Sequence, residues 1–190
     1  RETILAPVEG VGHYEPLRHY AEVHLLMEPL ERGAGIRIGS NLSTDKLSRP
    51  FQHLVLTHLT EKVFRGKLTG APITDMKITL VGGAASVKHT VGGDFRQATY
   101  RAVRQGLMEA RCMLLEPWYD FELTVPAAAV GRALSDLPQL SAVFESPETD
   151  GRMALIRGYA PVACLQGYAL QVTSYTKGEG SLVCLPRGYA

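Results

Sequence analysis

Two stretches of the chain concentrate side chains that can do chemistry on a ligand. Residues 9–20 carry Gly10, Gly12, His13, Tyr14, Arg18, His19 and Tyr20, and residues 84–93 carry Ser86, Lys88, His89 and Thr90. Cationic groups of this kind neutralise phosphate, hydroxyls bond phosphate oxygens, and His and Tyr rings stack on unpaired bases. That is how irregular or single-stranded RNA is read. The plainer reading, two solvated polar loops, stays open on side-chain chemistry alone.

Other chemistries find less support. No Gly precedes a Gly-Lys-Ser/Thr at phosphate-loop spacing. Gly10-Val11-Gly12 and Gly33-Ala34-Gly35 lack the third glycine and the strand-to-helix setting of a dinucleotide fingerprint, so each is expected to be a turn. His53 and His58 are five apart, on divergent helix faces rather than the i, i+4 spacing of a helical zinc pair. His13, His19 and His24 show no ligand spacing either, and no metal site is expected. No G-x-S-x-G elbow is present, and Glu145, Glu148 and Asp150 flank an expected hairpin turn. The reading is therefore of a chain without catalytic residues, against the alternative of a site assembled across a domain seam.

The elements that must position the two loops follow from periodicity. In residues 21–27, Ala21, Val23, Leu25 and Met27 alternate with polar neighbours, a half-buried strand closed by Pro29 and the Gly33–Gly35 turn. Ile36 and Ile38 predict a return strand. Ser48 caps a helix with Pro50 in its first turn; Phe51, Leu54, Val55, Leu59 and Val63 form its apolar face, and Gly66 ends it. Residues 73–81 alternate again. Residues 82–93, with Gly82-Gly83 and Gly92-Gly93, read as a loop. Asp94, with Gln97 three residues later, is expected to open a helix over 95–112 as its cap. That helix turns Phe95, Ala98, Ala102 and Ala110 inward and Gln97, Tyr100, Arg101 and Arg104 outward.

From Tyr119 the pattern reads strand, helix (Val130, Ala133, Leu134, Leu137), strand (142–145), turn, strand (153–157), helix (163–172, interrupted by Gly167) and strand (182–185). That βαββαβ order is the ferredoxin-like split arrangement. Pro117 marks the expected boundary, giving domains 1–117 and 118–190. The net charge of +1 divides into +3 over residues 1–118 and −2 over 119–190. Neither half is basic enough to demand a nucleic-acid partner, so any RNA contact must come from local patches. No apolar run reaches the roughly 20 residues that span a bilayer, and no membrane partner is expected. Three scattered cysteines outside any C-x-x-C spacing fit a reduced, cytoplasmic protein. The opening Arg1-Glu2-Thr3-Ile4 has neither an initiator Met nor a signal segment, so the chain is expected to be part of a longer protein.

Four blocks carry a family resemblance. His19-Tyr20-Ala21-Glu22-Val23 followed by Glu28-Pro29-Leu30-Glu31-Arg32-Gly33-Ala34-Gly35 resembles the opening strand of domain IV of elongation factor G. Residues Gly70-Ala71-Pro72-Ile73-Thr74-Asp75-Met76-Lys77-Ile78-Thr79-Leu80 resemble its central strand. Leu114-Leu115-Glu116-Pro117 is similar to the hinge into domain V, and residues 173–180, ending Thr176-Lys177-Gly178-Glu179-Gly180, to a late loop of that domain. Trp118-Tyr119-Asp120-Phe121 and Asp94-Phe95-Arg96 look closer to the tetracycline-resistance ribosomal protection branch.

The resemblance implies an α+β architecture: a ribosomal-protein-like β/α unit with a left-handed crossover, then a ferredoxin-like domain. It implies a translational GTPase whose GTPase domains, with their GTP and Mg, lie outside these residues; no cofactor is expected within them. The implied partner is the ribosome, with small-subunit rRNA at the decoding region and the large subunit near the stalk base, besides the N-terminal GTPase domains. The implied rRNA-binding residues are Arg18, His19, Tyr20, Ser86, Lys88, His89 and Thr90, with the helix-face Arg101 and Arg104 as weaker candidates. The protection branch carries a Tyr-Ser-Pro-Val-type tip loop, and this sequence departs from it with Ser86-Val87-Lys88-His89. A general translocation or elongation factor without a drug-protection role is one alternative, and a ferredoxin-like small-ligand regulatory protein is another, of a different class.

Overall fold

The computed structural model describes all residues, Arg1–Ala190. Their contacts separate two units, Arg1–Leu115 and Glu116–Ala190. In the first, β1 (Glu2–Ile4) leads to β2 (Val8–Tyr14), β3 (Ala21–Pro29), β4 (Ile36–Ser40), α1 (Arg49–Thr60), β5 (Met76–Ala85), α2 (Gly92–Glu109) and β6 (Cys112–Leu114). The main sheet has the order β2-β3-β5-β4, antiparallel except for the β4–β5 pair, which is parallel and joined across α1.

The alternation in β3 has the expected consequence: Ala21, Val23, Leu25 and Met27 are all fully buried against the helical side. Each of the larger side chains contributes about 1.5–3 kcal/mol through burial. From α2, Phe95, Ala98, Ala102 and Val103 fill the other side of the same core.

Several local expectations are corrected. Gly10 and Gly12 do not form a turn; they lie inside β2 and face α2. A Cβ on Gly10 would stand 2.1 Å from the Ala102 carbonyl oxygen, and one on Gly12 would stand 1.9 Å from that of Ala98. Glycine is therefore required so that the strand can touch the helix backbone, with Ala98, Ala102 and Gly106 supplying the small residues opposite. The Val11 amide, on the free edge of β2, donates to Gln105 Oε1 at 2.9 Å, so the helix also satisfies the sheet edge.

Gly82 and Gly83 likewise remain in β5, beside a register shift between His24 and Leu25 of β3. Bulges tolerate glycine, which explains why the pair does not end the strand. Val63 lies beyond the end of α1 at Thr60 and is exposed. Asp94 is the third residue of α2 rather than its cap: Val91 holds the cap position, and Asp94 Oδ2 accepts the Val91 amide at 3.0 Å.

The pairing of β1 with β6 has no periodic signal in three-residue strands. Glu2 is buried there, and its carboxylate accepts the amides of Leu68 (2.7 Å), Thr69 (3.2 Å) and Ala71 (3.0 Å). Burial alone would raise its pKa, but the three backbone donors outweigh it, and the carboxyl is held below its ordinary value.

The second unit runs β7 (Pro117–Pro126), α3 (Val130–Gln139), β8 (Val143–Phe144), β9 (Glu148–Thr149), β10 (Met153–Pro161), α4 (Val162–Leu165), α5 (Tyr168–Tyr175) and β11 (Ser181–Tyr189). Its strand order, β11-β7-β10-β8 with every pair antiparallel, is the ferredoxin-like arrangement. The single helix expected over 163–172 is two helices, broken where Gly167 adopts φ +80°. The Asp150 carboxylate closes the hairpin turn by accepting the Arg152 and Met153 amides.

The contact between β2 and α2 leads to a prediction. Gly12→Ala should destabilise the protein by about 1–3 kcal/mol, because a methyl group must displace helix backbone. Urea denaturation followed by circular dichroism measures this, and an unchanged midpoint contradicts it.

Candidate functional site

β2 and β3 end together, and β5 ends beside them: Tyr14 pairs with Ala21, and Ala21 pairs with Ala85. The connections that leave this end are residues 15–20 and 86–91. They are shorter than expected because residues 9–14 and 84–85 belong to strands. The start of α2 lies at the same end of the unit.

Thr90 ties the two loops together. Its hydroxyl donates to the Tyr20 carbonyl at 2.7 Å and accepts the Ser86 amide at 2.6 Å. His19 Nδ1 lies 2.9 Å from Asp94 Oδ1, the carboxylate whose other oxygen holds the Val91 amide. One buried carboxylate thus fixes both the first turn of α2 and the end of the 15–20 loop. Tyr20 is half-buried, and its hydroxyl donates to Glu22 Oε2 at 2.8 Å. That bond, with burial and the charges of Glu22 and Glu15, pushes its pKa up to about 12.

The structure brings all seven candidates together and separates them into two groups. His19, Tyr20, Ser86 and Thr90 are half-buried and engaged in holding the loops. Arg18, Lys88 and His89 are exposed, and their side chains make no hydrogen bond or ion pair. Arg18 has φ +65°, a left-handed conformation that a non-glycine residue adopts at a cost of about 1 kcal/mol or more. The turn is closed by the His19 amide donating to the Pro16 carbonyl at 2.8 Å.

Leu17 and Val87, one in each loop, are not among the site residues read from the sequence, yet they are 90% and 105% exposed. A signal was available: each is an isolated apolar residue between turn formers, with no periodic partner that would give it a core face. The tip therefore presents three apolar side chains, Leu17, Val87 and Val91, with two cations, an imidazole and the Glu15 carboxylate, which lies beside His13.

On the sheet beneath the tip, His24 Nε2 bonds Glu22 Oε1 at 2.5 Å, and its Nδ1 lies 3.2 Å from Glu9 Oε1. Burial opposes the charged imidazole, but the Glu22 and Glu9 carboxylates outweigh it and raise the pKa. Glu22 is correspondingly lowered, by the bond to His24 first and that to Tyr20 second. No group of three or more His, Cys, Asp or Glu side chains is arranged to hold a metal ion, and no helix is long and apolar enough to cross a membrane. All three cysteines are free.

Family models match nearly the whole chain: "Elongation factor G, domain IV" over residues 1–111 and "Elongation factor G C-terminus" over residues 113–190. The chain belongs to the elongation factor G family. Among curated relatives of this family it is 35% identical over 170 residues to the tetracycline resistance protein TetP of Clostridium perfringens, covering 90% of this chain and 26% of that protein. It is 30% identical over 190 residues to TetO of Campylobacter coli, covering 99% and 30% respectively. It is 31% identical over 162 residues to elongation factor G 2 of Desulfotalea psychrophila, covering 85% and 23%. The chain thus spans under a third of the length of each of these relatives. A crystal structure of a Thermus thermophilus protein superposes with a TM-score of 0.90 at 25% identity, over 100% of this chain and 29% of that one. The first unit is accordingly the domain IV type, and the second is the ferredoxin-like C-terminal domain of the elongation factor G family.

Two expected outcomes follow from the site. Thr90→Val keeps the shape but removes the bond to the Tyr20 carbonyl across the loops and the bond from the Ser86 amide within its own loop. It should cost about 1–2 kcal/mol and speed amide exchange at Ser86, and unchanged Ser86 protection would contradict the linkage. His24 has its folded pKa raised above the ordinary 6.5, so its stabilisation is complete below that value and is lost as pH rises through the folded value. His24→Gln should therefore flatten a decline of up to about 1 kcal/mol in stability from mildly acidic to mildly alkaline pH. Parallel stability curves for the two proteins would refute the assignment.

Proposed function

We propose that these residues are the ribosome-engaging end of a translational GTPase, with GTP and Mg handled by domains outside them. In this reading the tip of the first unit meets small-subunit rRNA at the decoding region, and the ferredoxin-like unit faces the large subunit near the stalk base. Membership in the elongation factor G family supports the reading. The observation that carries it is the pair of loops locked together by Thr90, with Arg18, Lys88 and His89 exposed beyond the lock. Unpaired cations on a braced support lose little conformational freedom on meeting phosphate, and an exposed imidazole can stack on a splayed base.

The TetP and TetO relatives bear the name tetracycline resistance, which extends the proposal to protection of the ribosome from that drug. The tip sequence Ser86-Val87-Lys88-His89 supports a different chemistry of contact there: a cation and an imidazole beside Val87, rather than an aromatic residue and a proline.

Replacing Arg18, Lys88 and His89 together by Ala should weaken co-sedimentation of the chain with ribosomes by at least about tenfold. A phosphate contact and a stacked ring are each of that order. Because all three side chains are exposed, the melting temperature should not move. Undiminished ribosome binding by the folded triple variant would overturn the tip assignment.

A further inference from the structure

On the flank of the first unit, starting near the tip end of β2, a groove of about 690 Å³ runs between α2 and the segment 62–67. Its charged lining is entirely cationic: Lys62, Arg65, Lys67, Arg101 and Arg104. None of the five is paired with a carboxylate. Arg101 donates to the His13 carbonyl at 2.8 Å, Arg65 to that of Gly70 at 3.0 Å, and Lys67 to that of Met108 at 2.9 Å. Lys62 sits 4.0 Å from the centre of the Tyr100 ring, and Arg104 has no partner. Elsewhere on α2, by contrast, Arg96 is neutralised by Glu61, whose carboxyl is held at about 2 by bonds first to Tyr100 and then to His58 and Arg96.

Carbonyl and ring contacts orient these cations without cancelling their charge. They fall along α2 from Arg101, bonded to the tip end of β2, to Lys67 at the helix's far end, a track about 14 Å long. A linear array of uncompensated cations in a groove is the electrostatic complement of a phosphodiester backbone. Of the two rings in the groove, Phe64 is buried, and Tyr100 is half-buried, with Lys62 over one face and its hydroxyl held by Glu61. Five cations against one half-covered ring and one amide, Gln97, suit the groove to backbone phosphates more than to base recognition.

We infer that the groove between α2 and residues 62–67 is a second RNA-binding site, which holds the phosphate backbone of a duplex independently of sequence. It shares no residue with the tip and does not rest on the tip's assignment.

The test is fluorescence anisotropy of a labelled RNA duplex of about 16 base pairs with the whole chain, over a salt series. The wild-type chain should bind with an affinity that falls steeply with salt. Arg101→Gln with Arg104→Gln should weaken binding at low salt by at least about tenfold and reduce the slope of log K against log salt by about 1–2. Arg101→Lys with Arg104→Lys should retain most of the binding, and a duplex of scrambled sequence should bind equally well. The Arg18, Lys88 and His89 triple variant should bind the duplex like wild type while losing ribosome affinity, so the two assignments fail separately. No duplex binding by the wild-type chain, an unchanged salt slope in the folded Gln variant, or displacement by polyglutamate as effective as by RNA would each overturn the inference.

Discussion

The first unit depends on one constraint, the backbone-to-backbone approach of β2 and α2. Gly10 and Gly12 on the strand meet Ala98, Ala102 and Gly106 on the helix, with no room for a Cβ between the glycines and the helix carbonyls. Because this contact fixes the helix at close range, it also fixes where the helix begins. Asp94 is consequently placed where one carboxylate serves both the start of α2 and His19 of the neighbouring loop. The arrangement of the tip is thus set by packing below it, not by interactions among its exposed side chains.

The parts of the fold that the sequence disclosed are those governed by local periodicity. Alternation marked β3, the apolar stripe marked α2, and the βαββαβ order marked the ferredoxin-like unit. The misread parts depend on what lies opposite in space. A Gly-x-Gly segment looks like a turn until Ala98 and Ala102 are known to face it, and Gly82-Gly83 looks like a break until the irregular pairing with β3 is seen. The β1–β6 ladder was invisible for a similar reason, since its stability resides in a buried Glu2 clasping amides some 66 to 69 residues away. In the candidate site, residue type pointed to the right stretches of chain. Which side chains brace and which are free could not be read there, because that division is made by Thr90 and Asp94 reaching across to Tyr20 and His19, some 70 to 75 residues away.

Charge in the first unit is distributed by the same logic. Two acids of the first unit are committed to several partners each: Glu61, just past α1, to His58, Arg96 and Tyr100, and Glu22, on β3, to His24 and Tyr20. This pairing leaves an excess of positive charge at the tip and along one side of α2, although the unit's net charge is small. A modest overall charge therefore conceals two strongly local fields, which a composition average cannot resolve.

The β1–β6 ladder places the first and last strands of the unit side by side, where Leu115 donates its amide to the Arg1 carbonyl at 2.7 Å. From that end α2, 18 residues long, reaches to the loops at the other, a distance of about 27 Å. Mechanically α2 is a strut, stiffened along its length by the strand that touches it, so the loops and the two chain ends of the unit are carried on one braced span.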